Sequence, residues 1–311
     1  MLAVEVSELR VRNGKLEAVK GITLEIPPGE VFGFIGPNGA GKSSTIRVLA
    51  TLQPKFYGKA RIMGLDIRTK PHLVREKIGY VPDFFGVYED LTAREYLHFF
   101  AAAYRLPVSR RKAIVDDVLQ LTDLTNKIDS PVDSLSRGMK QRLSLARVLL
   151  HDPAVLLLDE PASGLDPRAR IEMRELLKAL KEMGKTILIS SHIMSELADF
   201  CTSIGNIERG KLLAAGSIRE IQSQIRSHRV LKIRVLDEST DRAAELLRGD
   251  SSIRMIETYD HTLSAEFEGQ DRDMARVLDR LIQSGITVQS FAEEPLSLEE
   301  VPRPEPAAAA V

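Results

Sequence analysis

The sequence predicts an α/β fold with a mainly parallel sheet, followed by a second, smaller α+β domain. Short apolar runs alternate with helical stretches as far as about Ile225, and strand signals vanish between Leu91 and Leu150. A new strand and helix pattern begins after Ser227. Such alternation is typical of a parallel sheet covered by helices. A chain of 311 residues has room for about two domains.

Three apolar runs are the clearest strands of the first domain: Val31–Ile35, Val155–Leu158 and Thr186–Ser190. Short, continuous apolar segments are typical of parallel strands that are buried on both faces. We expect this domain to cover residues 1–226.

The stretch without strand signals contains the helix-like segments Thr92–Tyr104 and Arg110–Leu121, one directly after the other. This succession predicts an inserted helical subdomain over about residues 84–150.

The second domain shows six alternating elements. In order they are a strand, a helix, two strands, a helix with one apolar face and a strand, with the clearest at Val230–Val235, Asp241–Leu247, Ile253–Thr258, Thr262–Phe267 and Thr287–Phe291. The βαββαβ order predicts a ferredoxin-like fold over residues 227–296. Residues 297–311 include a Pro/Ala-rich tail that can bury almost nothing, so we expect this segment to be disordered.

The composition is that of a soluble globular protein, with 43% hydrophobic and 28% charged residues. The net charge of -1 provides no overall basic field, so we expect no nucleic-acid partner.

The chain contains no apolar run near the roughly 20 residues that a membrane-spanning helix needs. Glu5 and Glu8 interrupt the start of the chain, which argues against a secretory signal. The lone Cys201 cannot form an internal disulfide, which agrees with a reducing cytosol. These features predict a cytoplasmic protein without a membrane span of its own.

A glycine-rich segment directly after the first buried strand has the strongest local pattern. It matches G-x-x-x-x-G-K-[ST] and reads Gly36-Pro37-Asn38-Gly39-Ala40-Gly41-Lys42-Ser43. In such a loop, backbone N–H groups and the start of the following helix face phosphates, Lys42 reaches the terminal pair and Ser43 can hold Mg²⁺. A fortuitous glycine-rich turn is the alternative, and the strand and helix on either side favour the phosphate loop.

Two adjacent carboxylates, Asp159 and Glu160, end the apolar run Val155–Leu158. Asp159 could bind Mg²⁺ through water, and Glu160 could polarise an attacking water. By itself this pattern is also typical of an ordinary strand end. Its pairing with a phosphate loop favours a nucleotide-hydrolysing site.

Three further segments carry a resemblance to a known family. Leu135–Arg142 resembles the signature of ATP-binding cassettes (ABC), Ser163–Asp166 resembles their D-loop, and His192 resembles their switch histidine. The resemblance covers roughly Val4 to Gln224. It implies a P-loop NTPase of ABC type, with a mainly parallel core sheet, an antiparallel β subdomain and the inserted helical subdomain.

The resemblance also implies a mechanism. Two cassettes pack head to tail, so that Ser136 and Gly138 of one copy contact the γ-phosphate of an ATP held by Lys42 of the other. Asp166 links the two sites.

The implied site residues fall into three sets. The catalytic set is Lys42, Glu160 and His192. The set that binds ATP is Gly36, Pro37, Asn38, Gly39, Ala40, Gly41, Lys42, Ser43, Ser44, Ser136 and Gly138. The set that binds Mg²⁺ is Ser43, Asp159 and Asp83.

Closer similarity points to the exporter-like group whose ATPase pairs with a separate permease. It includes multidrug, polysaccharide, sodium and gliding-motility ATPases, so the cargo stays open. The residues that resemble this group are Val31–Phe34, Leu91–Leu97 and Glu293–Glu300. The resemblance implies a peripheral protein on the inner face of the cell membrane, with a homodimer favoured over a heterodimer.

Two positions depart from the family pattern. Asn13 stands near where relatives have an aromatic residue that stacks on adenine, and Asp83 stands where they have a glutamine that touches Mg²⁺ and the attacking water. An ionised aspartate is an oxygen ligand but cannot donate a hydrogen bond. We favour tolerated variation. A catalytically weak cassette that partners a competent one, or a non-transport regulatory ATPase of ABC type, is the alternative.

Overall fold

A computed structural model of the chain describes residues 1–83, 90–197, 200–217, 229–236, 239–269 and 271–294. The chain forms two compact units, Met1–Ile218 and Arg219–Val311, each described by itself. Some sequence-based expectations lie outside the described residues, namely the start of the helical subdomain (84–89), the domain boundary at 226/227 and the tail 297–311.

The first unit opens with an antiparallel sheet of four strands. They are β1 (Val4–Asn13), β2 (Leu16–Ile26), β4 (Tyr57–Ile62) and β5 (Leu65–Asp66), in the spatial order β2-β1-β4-β5. All three pairings are antiparallel. This confirms the antiparallel β subdomain that the family resemblance implies.

A six-stranded sheet forms the centre of the same unit. Its strands are β3 (Val31–Ile35), β6 (Ile78–Val81), β7 (Val155–Asp159), β8 (Thr186–Ser191), β9 (Ser203–Glu208) and β10 (Lys211–Ser217). Their order is β10-β9-β3-β8-β7-β6, and every neighbouring pair is parallel except β9 and β10. The mainly parallel sheet is thus confirmed. Strands β3, β7 and β8 are buried along their whole length, as their continuous apolar runs predict.

Some helices of the first unit belong to the helical insertion and others lie outside it. Outside the insertion are α1 (Lys42–Leu49), α2 (Pro71–Arg75), α6 (Pro167–Glu182) and α7 (Met194–Leu197). The insertion contains α3 (Ala93–Ala103), α4 (Val108–Leu121), α5 (Arg137–Leu149) and two short 3-10 helices, Thr125–Lys127 and Val132–Ser134.

The start of α3 shows how the sequence fixes a helix boundary. The Thr92 hydroxyl accepts a hydrogen bond from the Glu95 N–H, and the Glu95 carboxylate accepts one from the Thr92 N–H. This capping box satisfies two N–H groups that would otherwise lack partners. It also holds the pKa of Glu95 below its usual range, because the backbone hydrogen bond favours the charged form.

The second unit has the strand and helix order that the sequence predicts. It contains β11 (Arg229–Val235), α8 (Thr240–Arg248), β12 (Ile253–Tyr259), β13 (Thr262–Phe267), α9 (Asp271–Gln283) and β14 (Val288–Glu294). The sheet order is β12-β13-β11-β14 with antiparallel pairings throughout, which confirms the ferredoxin-like fold. The unit encloses its own apolar core.

Among the described residues, no helix combines the length and the apolar character that crossing a membrane requires.

Candidate active site

Three neighbouring parallel strands bring the predicted site residues to one edge of the central sheet. Strand β8 lies between β3 and β7, and all three run in the same direction. The phosphate loop follows β3, and His192 follows β8. Asp159 is the last residue of β7, and Glu160 comes directly after it. Because the carboxyl ends of parallel strands meet at one edge, segments distant in sequence converge there.

Glycines of the loop allow the backbone to pack where a side chain has no space. A Cβ at Gly36 would lie 2.1 Å from the carbonyl oxygen of Ile207. At Gly41, φ is 111° and a Cβ would lie 2.6 Å from the Ala18 carbonyl oxygen. Gly39 also has positive φ, but its Cβ position is open. The conformation of the loop therefore depends on glycine at defined points.

Helix α1 begins directly after this loop with features that favour an anion. Within the described part of the chain, no side chain caps its first turn, and that turn contains no acidic residue. The N–H groups at a helix start lack internal partners and attract negative charge. Ser43 and Ser44, both half-buried, lie in this turn. The arrangement fits a bound phosphate group.

The Lys42 side chain is only 5% exposed, and its ammonium group has three close oxygen neighbours. It donates hydrogen bonds to the carbonyl oxygens of Gly36 (2.5 Å) and Pro37 (3.1 Å). Its nitrogen also lies 3.3 Å from Glu160 Oε1. Glu160 Oε1 makes no aligned hydrogen bond to a described residue, so this is a charge contact. A buried ammonium facing the loop suits a ligand with several negative oxygens.

Asp159 is 2% exposed and is held by two hydroxyl groups. Ser43 and Ser190 both donate to its Oδ1, at 2.9 and 2.8 Å. Burial raises the pKa of the Asp159 carboxyl, the two hydroxyl donors lower it, and the nearby charges of Glu160 and Asp83 raise it further. A carboxylate that burial destabilises is one that a cation would stabilise. With the Ser43 oxygen beside it, the donor set fits Mg²⁺.

Glu160 has an unusual backbone conformation, with φ of 49°. Residues other than glycine rarely adopt this left-handed region, and those that do cluster at functional sites. The Glu160 N–H donates to Ser190 Oγ at 3.0 Å. Its Oε2 lies 2.8 Å from Nδ1 of His192, within hydrogen-bond distance. The carboxylate is thereby fixed between His192 and Lys42.

Ser190 is a residue that sequence reasoning missed. It is fully buried, and its hydroxyl bridges the Asp159 carboxylate and the Glu160 backbone. The available signal was a hydroxyl near the end of an apolar strand, two residues before His192. Both acidic residues are therefore oriented from the neighbouring strand β8.

Asp83 lies just beyond the end of β6, beside β7, and is exposed. Its charge raises the pKa of Asp159, although desolvation is the largest cause. Asp83 is therefore within electrostatic reach of the site. The other departure, Asn13, is exposed at the end of the hairpin between β1 and β2, opposite Leu16.

Ser136 and Gly138 lie elsewhere in the same copy. Ser136 caps α5 by accepting a hydrogen bond from the Met139 N–H at 3.3 Å. A Cβ at Gly138 would lie 2.8 Å from the Cβ of Ala169. Ser136, Gly138 and Asp166 line one cleft of about 380 Å³, to which no phosphate-loop residue contributes. The structure brings together the loop, Asp159, Glu160 and His192, but not Ser136 or Gly138.

The described residues contain no group of three or more His, Cys, Asp or Glu side chains that could hold a metal ion.

Comparison with known proteins gives the family. Residues 19–163 match the family described as ABC transporter. Residues 216–301 match the family described as ATP-binding protein DrrA1-3-like, C-terminal domain.

Individual relatives agree with these matches. Nod factor export ATP-binding protein I of Paraburkholderia xenovorans (strain LB400) is 39% identical over 69% of this chain and 71% of its own length. Linearmycin resistance ATP-binding protein LnrL of Bacillus subtilis (strain 168) is 34% identical over 75% of each chain.

A solved structure has the same fold. It is a dimeric post-hydrolysis ATP-binding cassette bound to ADP and Pi, 26% identical, with a TM-score of 0.62 over 70% of this chain and 99% of its own. Together with the phosphate loop and the paired acidic residues, these similarities show that the chain belongs to the ABC transporter family, as an ATP-binding subunit that hydrolyses ATP.

Proposed function

We propose that this chain works as a head-to-tail dimer that hydrolyses ATP at two shared sites and drives a separate membrane permease. One observation carries the proposal. Lys42, Asp159 and Glu160 converge at one sheet edge, whereas Ser136 lines a different cleft. A site that needs all four residues must therefore take Ser136 from another copy.

In the proposed site, the backbone N–H groups of residues 38–44 and the Lys42 ammonium bind the phosphates of ATP. Ser43, Asp159 and Asp83 supply the oxygens for Mg²⁺, directly or through water. When bound, Mg²⁺ neutralises negative charge on the phosphate oxygens. Burial of Asp159 supports this role, because burial disfavours the charged carboxylate and a nearby cation would stabilise it.

Glu160 is the proposed group that polarises the attacking water. Its carboxylate accepts a hydrogen bond from the water and takes up the proton as the water oxygen bonds to the γ-phosphorus. The bond from that phosphorus to the oxygen shared with the β-phosphate breaks. His192 holds Glu160 at 2.8 Å and contacts the γ-phosphate. Ser136 and Gly138 of the second copy complete the contacts to that phosphate.

The relatives' names support an exporter. One is a Nod factor export ATP-binding protein and the other a linearmycin resistance ATP-binding protein. We propose that this chain also serves export, lies on the cytoplasmic face of the membrane through its permease, and pairs with an identical copy.

ATPase measurements test the catalytic assignment. We expect Glu160→Gln to lower kcat about 10²–10⁴-fold, because the amide cannot act as the base. Glu175→Gln is the matched control, since Glu175 lies on the exposed side of α6, where it pairs with Lys178. Retained hydrolysis in Glu160→Gln would overturn the role of Glu160. A wild-type protein that hydrolyses no ATP, with or without a permease, would overturn the proposed catalytic site as a whole.

Cross-linking tests the shared site. Copies carrying Asn38→Cys are mixed with copies carrying Ser136→Cys, all in a Cys201→Ser, Glu160→Gln background. Asn38 and Ser136 are both exposed, so their thiols are accessible. We expect an ATP-dependent disulfide between the copies and none when Lys178→Cys replaces Ser136→Cys. Absence of the ATP-dependent product would overturn the head-to-tail arrangement.

We further propose the division into a cassette (1–226), a C-terminal domain (227–296) and a tail (297–311), with the second domain regulating dimerisation. Separate apolar cores in the two units support this division. Deletion from Ser227 onward should change dimer affinity or ATPase activity. A deletion with both quantities unchanged would remove the proposed role of the domain.

A further inference from the structure

We propose that Arg170 and Glu196 are positioning residues that hold the segment around His192 against Glu160. The inference rests on the proposed roles of His192 and Glu160. It concerns a chain of polar contacts between α6 and the end of β8. These contacts lie outside both the phosphate loop and the cleft that contains Ser136.

Ser191 is the first link in this chain. It is buried, and its hydroxyl donates to Glu196 Oε2 at 2.9 Å. The Ile193 N–H donates to the same hydroxyl at 3.0 Å. These two bonds fix the backbone on both sides of His192. Because the His192 side chain itself is 41% exposed, its position relative to Glu160 depends on this backbone.

Glu196 is the second link, and Arg170 anchors it. Arg170 Nη1 lies 3.5 Å from Glu196 Oε1, and the Glu196 side chain is only 13% exposed. Helix α7 (Met194–Leu197), which carries Glu196, begins two residues after His192. The ion pair with Arg170 joins this segment to the sixteen-residue α6.

A small cavity lies beside these contacts. Glu160, Arg170, Ser191 and Glu196 all contribute to its lining, and its volume is about 20 Å³, room for about one water. Arg170 Nε is buried without a hydrogen-bond partner among the described residues. Glu160 and the polar groups that hold the His192 segment thus border the same small, partly open pocket.

The position of Arg170 on α6 connects this arrangement to the dimer. Asp166 caps α6 by accepting a hydrogen bond from the Ala169 N–H at 2.9 Å. Arg170 follows four residues later, on the same face of the helix. If the partner copy docks near Asp166, α6 transmits the contact to Arg170, then through Glu196 and Ser191 to His192.

Steady-state ATPase kinetics with the full chain test the proposal. We expect Glu196→Ala and Arg170→Ala each to lower kcat about 10–100-fold, because small misplacement of a reacting group costs that much. The KM for ATP should change much less than kcat, within about threefold, since the phosphate loop and Lys42 are untouched. Glu196→Gln keeps an acceptor for Ser191 and should recover part of kcat. Lys178→Ala, which removes an exposed ion pair of the same helix, should change neither constant.

The double variant Arg170→Ala, Glu196→Ala separates positioning from general destabilisation. If both residues act through one contact chain, its kcat should equal that of the more affected single variant. Multiplied losses, or losses in KM alone, would overturn the proposal. Ser191→Ala provides an independent variant should either substitution prevent folding, and an unchanged kcat there would also overturn it. Glu160→Gln, measured in parallel, shows separately whether the underlying assignment holds.

Discussion

Replacing Ser190 with alanine should weaken both the fold and catalysis through one hydroxyl group. This hydroxyl donates to Asp159 Oδ1 at 2.8 Å and accepts from the Glu160 N–H at 3.0 Å. Ser190 is fully buried, so water cannot replace either bond without a rearrangement. The substitution leaves β8 intact, because alanine has no new atoms to accommodate.

The size of the effect follows from the two bonds. A hydrogen bond to a charged group contributes about 1.5–3 kcal/mol and a neutral one about 0.5–1.5 kcal/mol. We expect Ser190→Ala to lower the free energy of unfolding of the first unit by about 2–4 kcal/mol, equivalent to a fall in Tm on the order of 10 °C. Because Glu160 has a left-handed backbone that this bond supports, we expect kcat to fall about 10–100-fold.

Urea unfolding and steady-state ATPase assays measure both quantities. Ser144→Ala is the matched control, since Ser144 is also fully buried but its hydroxyl has no hydrogen-bond partner among the described residues. We expect the control to change stability by less than about 1 kcal/mol and kcat by less than about twofold. Equal effects of the two substitutions would refute the bridging role of the Ser190 hydroxyl.

Three further outcomes are expected. Asp159→Asn should raise the Tm of the nucleotide-free protein above about pH 4, as thermal scans from pH 4 to 8 will show. Burial raises the pKa of the Asp159 carboxyl, so the contribution of this carboxyl to stability falls as the pH rises from the unfolded-state pKa through the folded-state pKa. Burial raises the pKa of the Cys201 thiol to about 12, so a thiolate-specific reagent at pH 8 should label the folded chain at least about 100-fold more slowly than the urea-unfolded chain, as absorbance will show. Gly36→Ala, with a Cβ 2.1 Å from the Ile207 carbonyl oxygen, should cost about 3 kcal/mol or more in urea unfolding, whereas Gly184→Ala, with positive φ but open space, should cost about 1–2 kcal/mol.

Predictions from the sequence succeeded where a local pattern has a single structural solution. The apolar run Val155–Leu158 is too short for a typical helix, and it forms the strand β7 that continues to Asp159. Helix boundaries were less exact: α4 begins at Val108, two residues before the predicted Arg110. Pro107 at the cap explains the difference, because proline has no N–H to satisfy at a helix start.

The end of the last strand shows a second kind of difference. The apolar pattern stops at Phe291, whereas β14 continues to Glu294. Backbone pairing with β11 explains the extension, since Leu231 pairs with Glu293 and Val230 with Glu294. Side-chain periodicity cannot report backbone hydrogen bonds of polar residues at a sheet edge.

Site geometry was beyond sequence reasoning for a related reason. The pattern of the chain identifies Asp159 and Glu160, but the Ser190 hydroxyl that joins them is about thirty residues away in sequence. Likewise, nothing local to Glu196 indicates its pairing with Arg170. Such contacts arise only when the parallel sheet places separate segments side by side.

The surroundings of Lys42 link ATP binding to the freedom of Glu160. A lysine ammonium has three donor hydrogens, and Lys42 has three oxygen neighbours: Gly36 O, Pro37 O and Glu160 Oε1. Two of the hydrogens are committed to the carbonyl oxygens, so a phosphate oxygen that takes the third competes with Glu160 for the Lys42 charge. The two carbonyl bonds are aligned and lie within the loop, whereas the Glu160 contact is not aligned. Glu160 is thus the neighbour that yields most readily, and it would then be held by His192 alone.

This competition makes Glu160→Gln informative in a second way. Glutamine carries no charge and attracts Lys42 less, so a phosphate displaces it at lower cost. We expect Glu160→Gln to bind ATP more tightly than wild type, by about three- to tenfold, while hydrolysis is lost. Titration with ATP in the absence of turnover measures this, and His192→Ala, which leaves the Lys42 contact intact, should give no such gain. Unchanged or weaker binding by Glu160→Gln would refute the competition between Glu160 and phosphate for Lys42.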